Sequence, residues 1–210
     1  MICTNGKTAF RLLLAIAIFI STTGPPSYSQ PSQKPSIDIE QLFTPSGLMG
    51  DGEYTEMRNG VSMPKYITFS AVDQTRPHGH PTSIKISYAF GLKRWGGMYW
   101  QNLPDNWGDS PGSNYSTKGF SRVTFWARGE TGSERVQFKA GGIDKPEKPY
   151  RDSFVATLGW VQLSKDWAQY SIDLSGKNLS SVIGGFCWVS NSDNNSSSQI
   201  TFYLEDITLQ

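Results

Sequence analysis

The chain has 210 residues, 18% of them charged and 13% aromatic, with 19 Lys and Arg against 18 Asp and Glu and a formal charge of +1. Residues 1–29 hold Lys7 and Arg11 and no acid, so the remainder carries a formal −1, without the basic surface that nucleic acid selects or a polybasic membrane patch. Two cysteines exclude a disulfide-dense scaffold, and about 170 mature residues suffice for one core but not for two domains.

In chain order, Lys7 and Arg11 precede an apolar run from Leu12 to Ile20, and small residues follow at Ser27 and Ser29. This is the layout of a signal peptide over residues 1–29 with cleavage before Gln30, and it predicts export to the periplasm or the exterior. The run is about half of the ~20 residues that span a bilayer, so no stable membrane insertion is expected after cleavage. Cys3 lies before the apolar run, where a lipid-acceptor cysteine would not be. Cys187, in Gly184-Gly185-Phe186-Cys187-Trp188, then has no partner and reads as a buried, inert thiol. Residues 30–42 open with Gln30-Pro31-Ser32-Gln33-Lys34-Pro35 and read as a flexible linker, which places the folded domain at 43–210.

Within that domain no helical period persists. Short alternating runs separated by Gly, Pro, Asn and Ser predict an all-β antiparallel sandwich. Alternation puts Ile84, Ile86 and Tyr88 on an inward face, and likewise Val123, Phe125 and Ala127. Val136, Phe138 and Ala140 follow the same rule, as do Tyr170, Ile172 and Leu174. The last run, from Ile200 to Ile207, is expected to close a sheet.

The stretch Trp95-Gly96-Gly97-Met98-Tyr99-Trp100-Gln101 and the loop Asn106-Trp107-Gly108-Asp109 crowd rings among glycines, amides and a carboxylate. Flat rings beside hydrogen-bonding groups suit a sugar, which has apolar C–H faces and a rim of hydroxyls. The period of two sends Met98 and Trp100 to the core and Trp95, Tyr99 and Gln101 outward. Grouped with outward Trp126, Arg128, Gln137 and Lys139, and with Trp107 and Asp109 from the loop, they form the expected glycan platform. A second layer of loops packed over the sheet would give the same pattern.

Three segments, Ser46-Gly47-Leu48-Met49-Gly50-Asp51, Trp95 to Gln101 with Trp107-Gly108-Asp109, and Phe202-Tyr203-Leu204-Glu205-Asp206-Ile207, together resemble the galactose-binding-like jelly rolls that include many carbohydrate-binding modules of secreted bacterial proteins. The resemblance covers residues 43–210 and implies an antiparallel jelly-roll sandwich. It further implies a structural calcium between the loop after the first strand and the last strand, with Asp51, Glu53 and Asp206 in the comparable places and Glu205 where the pattern usually has Asp. The same acids also read as solvated turn residues.

Catalytic chemistry is not evident. Ser36-Ile37-Asp38-Ile39-Glu40 looks like a glycosidase strand, but a serine stands where the first acid belongs. His78 and His80, bracketed by Pro77 and Pro81, read as an exposed turn rather than a metal pair. The expected protein is therefore an exported, non-catalytic module whose partner is a polysaccharide or other glycan. A sandwich that contacts proteins in an envelope or matrix, and a carbohydrate-active enzyme whose catalytic groups converge from distant strands, remain the alternatives.

Overall fold

The computed structural model describes residues 35–210, so the expected signal peptide lies outside the described residues. Alternating runs pair into strands β1 (Ile37–Asp38), β2 (Thr44–Gly50), β3 (Thr55–Arg58), β4 (Val61–Pro64), β5 (Ile67–Asp73), β6 (Ser83–Ala89) and β7 (Trp95–Gln101). They continue with β8 (Arg122–Gly129), β9 (Arg135–Gly141), β10 (Val155–Gln162), β11 (Ala168–Asp173), β12 (Gly184–Asn191) and β13 (Gln199–Leu209). Two single 3-10 turns, Ile39–Gln41 and Asp51–Glu53, are the helical pieces among the described residues.

One sheet runs β11-β8-β13-β6-β5 with β1 attached to β13, and the other runs β10-β9-β12-β7-β2. All named pairings are antiparallel, and neighbours in space are mostly distant in sequence. This is an antiparallel jelly-roll sandwich. The closing run does not sit at an edge: β13 lies between β8 and β6 in the middle of its sheet. An edge strand would leave a row of backbone groups unpaired, whereas β13, rich in Ile, Leu and aromatic residues, has partners on both sides.

The inward faces meet in an aromatic core. Ile86, Tyr88, Val123, Phe125 and Phe202 come from the first sheet, and Trp100, Val136, Phe138, Phe186 and Trp188 from the second, each 0% exposed. Ring centroids interlock at 4.7 Å for Phe125–Phe138, 5.0 Å for Phe125–Phe186 and 5.3 Å for Trp188–Phe202. Met98 and Trp100 point inward, as alternation predicts.

The linker expected at 30–42 is too long by several residues. Ile37 and Asp38 pair with Leu209 and Thr208, and Ile39 is fully buried. The Pro/Ser/Gln composition ends at Ser36, and the apolar residues after it have a core to enter.

Candidate functional site

The β10-β9-β12-β7-β2 sheet presents an outer face whose membership follows from cross-strand register. Met49, Gly97, Val189, Gln137 and Trp160 form one row across the five strands, and Gly47, Tyr99, Cys187, Lys139 and Thr157 form the next. Trp95, opposite Asn191, extends the face along β7. Trp95 and Trp160 keep 41% and 36% of their surface exposed. Three strand spacings separate their strands, about 14 Å, with the Gln137 amide and the Asn191 Nδ2 nearby. Asn191 Oδ1 accepts from Asn194, and the Thr157 hydroxyl is held in the bulge by Phe138 O and Gly159 N.

Trp160 is outward because β10 carries a bulge. Thr157 pairs with Lys139 but Gly159 pairs with Phe138, so one extra residue shifts all that follow. Gly159 has φ +80°, a backbone state that glycine adopts without cost. Without this insertion Trp160 would stand opposite Val136 and face the core. Plain alternation misses Trp160 because the phase of the strand breaks here; Gly159, inside an otherwise β-forming run, is the signal of the bulge.

At one end the face is roofed by the loops after β7 and β9. Tyr99 is only 6% exposed and packs with Ile143, Ile183 and Cys187, while Trp107 lies edge-on at 6.0 Å. Gln101 is fully buried: its Nε2 donates to the Asn106 carbonyl at 2.9 Å and its Oε1 accepts from Ser46 Oγ at 2.9 Å. Asp152 pins the second loop by accepting from the backbone N–H groups of Ile143, Ile183 and Gly184. Burial pushes its carboxyl up to about 6 despite those three donors. Burial likewise raises the Cys187 thiol to about 12, which makes it inert, in keeping with its sequence context.

The expected platform therefore divides. Trp95 is an exposed ring on the outer face, but Tyr99 and Gln101 support the loops and are not free for a ligand. Trp107 is half-buried with the Lys145 ammonium 4.6 Å from its centroid, and Asp109 is ion-paired with Lys148. Trp126 and Arg128 belong to β8, in the other sheet, so they look out from the opposite side of the sandwich. Alternation separates inward from outward but does not say which sheet a strand joins. On that opposite side His78 covers Trp126 at 4.3 Å, and Arg128 is buried against the Tyr203 ring at 5.3 Å.

The three acids assigned to calcium do not converge. Asp51 is fully buried and accepts from Tyr88 OH at 2.7 Å, Gly91 N at 2.8 Å and Lys93 N at 2.7 Å. Glu53 pairs with Lys93, and Asp206 with His80 Nε2 at 2.6 Å. His80 precedes β6 whereas the donors to Asp51 lie at its far end, so Asp51 and Asp206 are separated by the length of that strand. Calcium needs six to eight oxygens, and these residues do not fit such a cage. Among the described residues no group of three or more His, Cys, Asp or Glu side chains could hold a metal.

Solved structures share this arrangement. A family 30 carbohydrate-binding module superposes with a TM-score of 0.54 at 15% identity, over 83% of this chain and 98% of that one. The fold is that of carbohydrate-binding modules. The family 11 carbohydrate-binding module of a cellulosomal cellulase of Clostridium thermocellum gives the same TM-score at 11% identity, over 86% of this chain and 95% of the other. No protein-family model and no curated protein sequence matches the chain.

Proposed function

We propose that this chain is an exported glycan-binding module without catalytic activity, and that its ligand lies across the outer face of the β10-β9-β12-β7-β2 sheet. The observation that carries the reading is the pair of exposed rings, Trp95 and Trp160, with hydrogen-bonding side chains between them. Exposed indoles on rigid strands give a sugar large contact area at low entropic cost, and the amides of Gln137 and Asn191 suit its hydroxyls. None of the outward positions of these five strands is an Asp or Glu, so this face lacks the carboxylate pair that glycoside hydrolysis uses. The fold shared with carbohydrate-binding modules adds support, and the Lys7, Arg11 and Leu12-to-Ile20 pattern is the basis for export.

A glycan array followed by isothermal titration tests the reading. An open face of this kind binds with dissociation constants of about millimolar to micromolar. Trp95→Ala and Trp160→Ala each remove most of the binding while leaving the thermal midpoint nearly unchanged. Binding that survives both substitutions, or an array with no hit, overturns it.

A further inference from the structure

The charge of the same face identifies a class of ligand, an inference that rests on the glycan-binding reading. β9 turns Arg135, Gln137, Lys139 and Gly141 outward, and neither Arg135 nor Lys139 has a carboxylate within ion-pair distance among the described residues. Residues 1–34 contain no Asp or Glu, so they offer no acidic partner either. Lys139 is half-buried in the middle of the sheet, between Cys187 on β12 and Thr157 on β10. An ammonium at the centre of an open face, with no counter-ion of its own, is available to pair with a ligand anion.

The rim has the same imbalance. Asp193 is paired with Arg94 at 3.2 Å, Asp144 with Arg151 at 3.5 Å, and Asp109 with Lys148, so these acids are already neutralised. Asp152 is enclosed by backbone N–H groups, and the exposed acids of the two roofing loops without an ion pair are Glu147 and Asp105. Arg135, Lys139 and Lys145, which lies over Trp107, are left as unpaired cations. Arg135 and Lys139 are four residues apart on one strand, about 13 Å, a separation that suits repeated charges along a chain rather than one small anion.

We propose that the ligand is an anionic polysaccharide, with carboxylate or sulfate groups that pair with Lys139 and Arg135 while its rings lie on Trp95 and Trp160. Affinity gel electrophoresis with the full mature chain tests this, with polygalacturonate and alginate as carboxylated probes, carrageenan as a sulfated one, and highly methyl-esterified pectin and hydroxyethylcellulose as uncharged ones. The expected result is retardation by a charged probe and not by its uncharged counterpart. Which charged probe retards the protein identifies the group as carboxylate or sulfate. Lys139→Met lowers the affinity about tenfold, equal to about 1.4 kcal/mol, and binding weakens with added salt. Lys177→Met, the same charge change in the turn after β11 on the other sheet, leaves it unchanged. Equal loss in both variants marks non-specific attraction and overturns the proposal. Retardation by an uncharged probe with Lys139→Met unaffected overturns it while leaving the glycan reading intact, and no retardation by any probe overturns both.

Discussion

Trp160 and Gln137 are cross-strand neighbours because β10 holds one residue more than β9 between Thr157 and Gly159. A Cβ at Gly159 would meet nothing within 4 Å, so the cost of replacing it is conformational and not steric. At φ +80° an alanine costs about 1–2 kcal/mol, and asparagine, which tolerates this region better, costs less. Urea unfolding of Gly159→Ala and Gly159→Asn gives that order. Equal midpoints for both variants and the wild type would show that the bulge does not depend on glycine.

Trp95 rests across the end of β2. A Cβ on Gly50, where φ is +62°, would stand 2.3 Å from the Trp95 carbonyl oxygen and 2.8 Å from ring atom Cδ2. Gly50→Ala must therefore displace the ring as well as strain the backbone, with an expected stability loss of about 1–3 kcal/mol. Titration shows weakened glycan binding in the same variant. Trp95→Ala, by contrast, lowers affinity alone.

Trp126→Ala separates the two sides of the sandwich. Its ring is on the sheet opposite Trp95 and beneath His78, so glycan affinity is expected to match the wild type, with only a modest fall in thermal midpoint. Loss of binding in this variant, with the fold intact, would move the site to the other sheet.

Asp51→Ala leaves the buried Tyr88 OH and the partly buried N–H groups of Gly91 and Lys93 without their acceptor. The expected loss is about 1–3 kcal/mol, set mainly by the Tyr88 hydroxyl, which is left buried and unpaired. Thermal melts of the wild type with chelator and with added calcium should coincide, since these donors already occupy the carboxylate. A calcium-dependent midpoint would mean that the ion finds ligands other than this trio.

Asp152 makes stability depend on pH in the direction opposite to most carboxylates. Its carboxyl rises from 3.8 to about 6, so between those values the native state holds a proton that the unfolded chain has released. Stability is therefore highest below about 4, falls through this window and levels off above about 6, by about 3 kcal/mol if the whole shift is expressed. Unfolding free energies of the wild type and Asp152→Asn at pH 4 to 8 isolate this contribution as their difference. A difference that does not change with pH removes it.

The core was legible from alternation alone: Val136, Phe138 and Ala140, or Ile84, Ile86 and Tyr88, occupy the faces that a period of two assigns them. Sheet membership was not, because it depends on long-range pairings that no local pattern records, and that is why Trp126 and Arg128 were grouped with Trp95. Tyr99 and Gln101 do leave the strand on the outward side, yet loops distant in sequence cover them, so outward did not mean exposed. At Trp160 the alternation itself misleads, because one glycine reverses the phase of the strand. At Asp51 and Asp206 proximity was inferred from their places in a resemblance, whereas both ends of β6 lie between them.

The pairing of Ile37 with Leu209 sets the first and last strands of the sandwich side by side on the sheet opposite Trp95 and Trp160. Antiparallel partners lie about 5 Å apart, so this unit would fit into a surface loop of a host protein at little loop-closure cost.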